Sequence, residues 1–403
     1  MRLLHTADLH LGRSLHQHSL LDDQRFFIDF LLAELETKKP DVLVIAGDIY
    51  DRVVPSAESM ALFDYLLMGL SRLETVSLII GGNHDSPQRL AFAAEILKNH
   101  NIHIVTEYQG KLDKLSLFDN RYHFYLLPFF RPSQVRPFFP DREIRNQEDA
   151  LDAILSELDL DQPGRHILIA HQFFVNRKGQ AVLSDSEQLS LGGIDQISTS
   201  LLEAFDYVAL GHLHQAHYVD RPSIRYSGSP LVYSASELAR PKSLSLVEFP
   251  DDSEEGVKSP ICISEVPFQG KRPVQKIKGS FQDLIARAAE KPCQDYIYLE
   301  LTDKFTVDDL AGRFRRFYPN LLEIQMPNLL AGPSTDRAEF ISRPDKLGTD
   351  ELFELFYKAE TGENMGDEET SLIKALASGN DQELLARDAT VCGLEDSGGG
   401  GVR

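Results

Sequence analysis

Leu3-Leu4-His5-Thr6-Ala7-Asp8-Leu9-His10 places a short apolar run directly ahead of a carboxylate and an imidazole. The layout returns at Ile45-Ala46-Gly47-Asp48, at Gly81-Gly82-Asn83-His84-Asp85, at Ile169-Ala170-His171 and at Gly211-His212-Leu213-His214. The runs Val42–Ala46, Val76–Ile80, Ile167–Ala170 and Tyr207–Leu210 are continuously apolar rather than alternating, which predicts strands buried on both faces. Helical patterns lie between them, over Gln24–Glu36, Ser56–Arg72 and Leu90–Leu97. Strands alternating with helices predict an α/β fold, and in such sheets ligands gather at the carboxyl ends of the strands. Five strand ends can therefore deliver their polar residues to one place.

The candidate metal ligands are Asp8, His10, Asp48, Asn83, His171, His212 and His214. They offer two carboxylates, one amide oxygen and four imidazoles, with no thiolate. A mixed nitrogen and oxygen set suits Mn²⁺, Fe²⁺ or Zn²⁺ better than Ca²⁺ or Mg²⁺. Seven ligands exceed what one ion with an open position needs. They suit two ions roughly 3.5–4 Å apart, as used for in-line phosphoryl displacement. Glycines precede Asp48, Asn83 and His212, and are expected to let the chain turn sharply there. Any one motif arises by chance, and a lone histidine is more often a satisfied core or surface residue. The reading rests on all five occurring in order, each behind a strand.

The order D-x-H, GD, GNHD, H, GHxH over residues 1–235 resembles the calcineurin-like metallophosphoesterase superfamily. Within it, Leu4–Gly12 (LHTADLHLG), Ala46–Asp51 (AGDIYD), Ala209–His214 (ALGHLH) and Tyr226–Pro230 (YSGSP) are similar to the SbcD-type nucleases. The resemblance implies a sandwich of two mixed β-sheets flanked by helices, a small α/β capping domain and C-terminal helices. It implies that Asp8, His10 and His214 hold a first metal, Asn83, His171 and His212 a second, and that Asp48 bridges them. Water activated by two Mn²⁺ ions would be the nucleophile. His84 would stabilise the transition state and protonate the leaving 3′ oxygen, with Asp85 orienting its imidazole. The alternative for Asp85 is a helix N-cap ahead of Ser86-Pro87.

The remaining features set the organisation. At 403 residues the chain is longer than one core usually organises. The expected divisions are a nuclease domain over 1–265, a capping domain over 271–330, a linker over 331–348, partner-binding helices within 349–390 and a disordered tail over 391–403. Asp251–Gly256 reads as a hairpin or boundary loop. Cys262, Cys293 and Cys392 are odd in number and widely spaced, which argues against a disulfide framework or a zinc–thiolate site. No apolar run is long enough to span a bilayer and no leader-like start is seen, so a cytoplasmic location is expected.

The net charge of −21 speaks against nucleic acid until its distribution is considered. Residues 350–388 carry 11 acids and three bases, whereas 271–330 carry ten bases and eight acids. Arg13, Arg52 and Arg89 lie close to metal motifs and are candidate DNA contacts. Leu352, Phe353, Leu355 and Phe356, and then Leu372, Ile373 and Leu376, form apolar stripes that suit a partner or the chain's own core. The resemblance implies DNA as substrate and an SbcC-type ATPase as partner, with a homodimer inside a heterotetramer. The chain has no G-x-x-x-x-G-K-[ST] of its own. The expected activity is Mn²⁺-dependent 3′→5′ double-strand exonuclease and single-strand or hairpin endonuclease cleavage, in recombination, replication and repair. The alternatives are a phosphatase or cyclic-nucleotide phosphodiesterase on the same site, and a non-catalytic DNA-end scaffold.

Overall fold

The computed structural model describes residues 1–177, 196–251, 258–303 and 309–326, with residues 353, 354, 357, 364–366, 369, 370 and 373 beyond them. The expected linker (331–348) and tail (391–403) lie outside the described residues, as does most of 349–390. The chain divides into two compact units. One comprises Met1–Ile277, Ala288–Leu299 and Ala311–Glu323, and the other Lys278–Arg287, Glu300–Leu310 and Ile324–Arg403.

The first unit is built on two six-stranded sheets. Its strands are β1 (Arg2–Thr6), β2 (Val42–Ala46), β3 (Val76–Ile80), β4 (Ile102–Val105), β5 (Asp113–Leu117), β6 (Tyr122–Leu127), β7 (Arg165–His171), β8 (Tyr207–Gly211), β9 (His217–Val219), β10 (Arg221–Tyr226), β11 (Lys242–Glu248) and β12 (Cys262–Phe268). One sheet has the order β12-β11-β1-β2-β3-β4 and the other β9-β10-β8-β7-β6-β5. Strands β1 to β4, and β6, β7, β8 and β10, run parallel within their sheets, while β5, β9, β11 and β12 pair antiparallel. β11 and β12 pair antiparallel, with Lys242 opposite Phe268, and of the expected hairpin or boundary loop over Asp251–Gly256 all but Asp251 lies outside the described residues.

Burial explains the continuous apolar runs. Every residue of β2, β6, β7 and β8 is buried. Leu3, Val44, Ala46, Ile80, Phe124, Ile169 and Ala209 pack with one another in a single core cluster drawn from both sheets. Leu4, Leu43, Ile45 and Ile79 face the other way, against Phe27, Leu31 and Leu35 of α1 (Leu21–Lys38) and Leu62 and Leu66 of α2 (Ala57–Leu70). Leu168, Ala170, Val208 and Leu210 pack on Ala150, Leu151 and Ile154 of α3 (Gln147–Leu155). Burying such a side chain contributes about 1.5–3 kcal/mol. A strand with helix or sheet on both faces therefore has no polar positions to alternate.

The helices start and stop for local reasons. Ser56 caps α2 by accepting from the Ser59 N–H at 3.2 Å, and Asn146 caps α3 by accepting from the Asp149 N–H at 2.8 Å. Lys39 closes α1 in the left-handed conformation, and Pro40 follows. The helix expected over Leu90–Leu97 is instead two short pieces, Pro87–Leu90 and Ala94–Leu97. Ala93 between them has φ +62°, which breaks the helical hydrogen-bond ladder despite the favourable spacing of apolar residues.

After β12 come β13 (Val274–Gly279), α4 (Phe281–Glu290), β14 (Tyr296–Leu301) and β15 (Leu321–Gln325), with a short helix over Leu310–Arg315. The three strands form one sheet in the order β13-β14-β15. In the second unit the Asp303 carboxylate accepts from the Phe281 N–H at the start of α4, and Lys278 pairs with Glu300 at 2.6 Å. Among the described residues no helix is long and apolar enough to cross a membrane.

A candidate metal centre at the strand ends

The expected ligands follow the carboxyl ends of five strands. Asp8 and His10 follow β1, Asp48 follows β2, Asn83 follows β3, His171 ends β7, and His212 and His214 follow β8. Parallel registers bring neighbouring ends level, with Ala46 opposite Ile80 and Gly211 opposite His171. Within the first sheet the Gly47 carbonyl accepts from the Asp8 N–H at 3.0 Å, and across to the second sheet Asp8 Oδ1 accepts from the His212 N–H at 2.9 Å.

The backbone is unusual at these residues. Asp8 (φ +56°), His10 (+43°), Asp48 (+50°) and His212 (+102°) all lie in the left-handed region that side chains other than glycine rarely adopt. Such positions cost about 1–3 kcal/mol each and persist where the surroundings over-determine them. The three glycines serve two different needs. Gly47 has φ +91°, as the expected turn requires. Gly82 and Gly211 are not in that region. A Cβ at Gly211 would lie 1.9 Å from the Ala46 carbonyl oxygen, and one at Gly82 would lie 2.1 Å from Asp48 Oδ1. These two positions need space rather than conformational freedom.

All seven expected ligands converge. His10 Nε2 lies 3.1 Å from His214 Nε2 and 3.5 Å from Asp48 Oδ2. On the other side of Asp48, the same oxygen is 3.4 Å from His171 Nε2. Asn83 Oδ1 is 3.1 Å from His171 Nε2 and 3.0 Å from His212 Nδ1. Asp8, His10 and His214 can bring ligand atoms within 4.8 Å of one another, as can Asp8, Asp48 and His171, and His10, Asp48 and His84. Asp8, His10, Asp48, His171 and His214 are buried, and Asn83, His84 and His212 are partly exposed.

The electrostatics fit a cation. Burial pushes the Asp8 carboxyl up to about 7, with the Asp48 charge adding to it and His171 and His214 opposing it. Asp48 is also penalised by burial, yet the neighbouring His171 and His10 hold it well below the usual carboxylate range. Burial lowers His212 to about 3 and His10 well below its ordinary value. Burial acts the same way on His171, but Asp48 and Asp8 raise it to about 9. Asp8 Oδ2 and His10 Nδ1 are buried without a hydrogen-bond partner, a costly state for polar atoms. A buried carboxyl pushed up beside a second carboxylate, an orphaned acceptor and imidazole nitrogens facing one another are what a divalent cation would satisfy.

The supporting contacts fix several rings. His171 Nδ1 is 2.7 Å from the Ala46 carbonyl, which turns Nε2 toward Asp48. His84 Nδ1 is 2.8 Å from the Asp51 carbonyl, and its ring meets His10 edge-on at 4.8 Å. The expectation that Asp85 orients the His84 imidazole is therefore corrected. The Asp85 carboxylate accepts instead from the backbone N–H groups of Ile49 (3.0 Å), Tyr50 (2.9 Å) and Gly82 (2.9 Å). It acts as a buckle between the loops after β2 and β3. Nor is it the helix cap, since Ser86 occupies that position. Burial and the Asp48 charge raise Asp85 to about 6, against its three backbone hydrogen bonds.

Sequence reasoning did not single out the residues that line the rear of the site. The Glu237 carboxylate is 3.4 Å from His214 Nδ1. Burial would raise Glu237, but Lys242 and His214 hold it well below the usual carboxylate range. Tyr233 donates to the Leu9 carbonyl at 2.6 Å and packs edge-on against His10 and His214. Gln24 of α1 donates to the Leu9 and His10 carbonyls and accepts from the Gly12 N–H.

The three candidate DNA-contact arginines differ in their freedom. Arg13 pairs with Asp51 at 3.2 Å and lies 4.8 Å over the Tyr233 ring. Arg52 is 82% exposed and 3.6 Å from Asp51. Arg89 is exposed.

Comparison with known proteins agrees with this construction. Residues 1–216 match the calcineurin-like phosphoesterase family, and residues 270–361 match a domain described as the type 5 capsule protein repressor C-terminal domain. A Staphylococcus epidermidis protein named as the D component of the SbcCD nuclease is 30% identical over 385 residues, covering 94% of this chain and 98% of that one. Its namesake from Staphylococcus saprophyticus is 29% identical over 381 residues, covering 93% and 97%. A dimetal phosphatase from Danio rerio is similar over 66% of this chain and 95% of its own at 12% identity, with a TM-score of 0.38, too weak to add to these matches. The chain belongs to the calcineurin-like phosphoesterase family and, within it, to the SbcD-type nucleases.

Proposed function

We propose that the chain is the nuclease component of an SbcCD-type complex and hydrolyses DNA phosphodiesters with two Mn²⁺ ions. The observation that supports the proposal is a chain of close contacts: Asp48 Oδ2 lies between His10 and His171, His214 adjoins His10, and Asn83 joins His171 to His212, with Asp8 near His214 and His171 and with His84 beside His10. Asp8, His10 and His214 would hold one ion and Asn83, His171 and His212 the other. Asp48 lies between His10 and His171 and would serve both.

When bound, two divalent cations lower the pKa of water toward about 7 and neutralise charge on the phosphoryl oxygens. The chain supplies the rest. The Asp51 carbonyl fixes His84 through Nδ1, which leaves Nε2 to face substrate. In hydrolysis a P–O bond to water forms as the P–O3′ bond breaks. His84 would donate a hydrogen bond to the phosphoryl group and a proton to the departing 3′ oxygen. Asp85 holds the loop that carries the Asp51 carbonyl, so it acts on His84 at one remove. Arg52, exposed next to Asp51, and Arg89, exposed and five residues after His84 in the chain, would reach backbone phosphates and raise affinity without reading sequence.

The proposed reactions are 3′→5′ degradation of duplex ends and cleavage of single-stranded or hairpin DNA, as one half of a homodimer joined to an SbcC-type ATPase. The test is turnover of labelled duplex and hairpin DNA in Mn²⁺, with and without that ATPase, beside a small phosphomonoester. Mn²⁺-dependent DNA cleavage lost in His84→Gln is expected. Turnover of the phosphomonoester alone would transfer the site to a phosphatase, and full nuclease activity in His84→Gln would remove His84 from the chemistry.

A further inference from the structure

Glu237 is 1% exposed, and its two oxygens have separate surroundings. Oε2 accepts from Lys242 Nζ at 2.6 Å, the Tyr233 N–H at 3.2 Å and the Ser229 hydroxyl at 3.3 Å. Oε1 accepts from the Ser234 hydroxyl at 3.2 Å and faces His214 Nδ1 at 3.4 Å. Lys242 also donates to the His214 carbonyl at 3.0 Å and to Ser229 Oγ at 2.8 Å. One partly buried ammonium thus ties the carboxylate and the backbone of the histidine together. The His214 ring is flanked by Tyr233 at 5.6 Å and His10 at 5.0 Å, so it has little room to slide.

We propose that Glu237 is a positioning residue for metal capture: its carboxylate holds the proton of His214 on Nδ1 and aims the Nε2 lone pair at Asp8 and His10. The proposal rests on the reading of His214 as a ligand. Oε2 already has three donors, so the carboxylate does not need the imidazole for its own satisfaction. The imidazole does need a fixed tautomer, because a proton on Nε2 would block coordination. An anion behind a ligating imidazole fixes that tautomer and strengthens the donor atom. His171 is backed by a neutral carbonyl instead, so the two sides of the centre are held by groups of different charge.

The experiment is calorimetric titration of Mn²⁺ into the full chain. Wild type is compared with Glu237→Gln, which keeps the shape, with the double variant Glu237→Leu/Lys242→Met, which removes the ion pair as a unit, with His214→Ala and with Ser56→Ala. Ser56→Ala weakens the cap of α2 without touching Glu237, Lys242 or His214 and reports what lost stability alone does. Circular dichroism in chelator establishes that each variant is folded. Weakening of Mn²⁺ binding by roughly 10–100-fold is expected in both Glu237 variants. Their nuclease activity is expected to need more Mn²⁺ while keeping kcat at saturating metal, and Ser56→Ala is expected to bind like wild type. A folded Glu237 variant that binds Mn²⁺ within twofold of wild type overturns the proposal. If His214→Ala binds as wild type does, the ligand assignment itself fails. If His214→Ala is impaired and the Glu237 variants are not, only the role of Glu237 is lost.

Discussion

His5 should make the metal-free protein lose stability progressively as pH falls below about 6.5. It lies on β1 with Leu3, on the side that faces the opposite sheet, and is fully buried with Nδ1 3.0 Å from the Tyr207 hydroxyl. Burial, with the positive Arg225 adding to it and a backbone hydrogen bond at Leu210 opposing it, lowers its pKa from 6.5 to about 3. The unfolded chain therefore binds a proton near pH 6.5 that the folded chain refuses until about pH 3. The stability from keeping this ring neutral is complete above pH 6.5 and is lost as pH falls toward 3. One pKa unit is worth about 1.4 kcal/mol, so descending from pH 6.5 to 4.5 removes about 2.7 kcal/mol. Urea unfolding in chelator at pH 7, 6, 5 and 4.5 would measure this against His5→Gln, which keeps a polar group near Tyr207 and does not titrate. Other acid-labile groups cancel in the difference. The wild-type advantage is expected to shrink by about 2–3 kcal/mol across the series. A difference that stays constant with pH would refute the reasoning.

Gly211→Ala forces a Cβ against the Ala46 carbonyl, so thermal melting should show a loss of about 3 kcal/mol or more, and Mn²⁺ binding should fall with it. Asp85→Ala strands three backbone donors at about 1–3 kcal/mol each, whereas Asp85→Asn still offers one oxygen. Chemical denaturation should rank them in that order, and both should lose turnover through the loop that holds His84. Arg89→Gln should weaken DNA binding in every sequence and lower the salt dependence by about one counterion, read by anisotropy over a salt series. Arg13→Gln should act more on stability, since Arg13 is already engaged by Asp51 and Tyr233.

The candidate ligands were legible because each obeys a local rule. A strand buried on both faces leaves an unbroken apolar run, and the polar residues just past it mark the carboxyl end. Asp8, Asp48, Asn83, His171 and His212 all announce themselves this way. Glu237 has no such marker. It follows His214 by 23 residues in Ser234-Ala235-Ser236-Glu237, a stretch without apolar periodicity, and only the folded loop brings it behind the ring. Asp85 misled for the opposite reason. Adjacency to His84 suggested a partnership, but the chain bends through Asn83, His84 and Asp85, and the Asp85 carboxylate turns inward to the loop after β2. The glycines were legible as necessary, though space and conformation look alike in a sequence. Gly211 is required by a carbonyl that belongs to residue 46.

The seven candidate ligand positions span residues 8 to 214, with two of them just past β8, the last of the five site-bearing strands to be made. A chain still on the ribosome and ending near residue 177 already owns Asp8, His10, Asp48, Asn83 and His171, but lacks both residues of the fifth motif. Vectorial synthesis thus withholds the full candidate set until more than half of the polypeptide has emerged, and a product terminated earlier would lack two of the seven by its length alone.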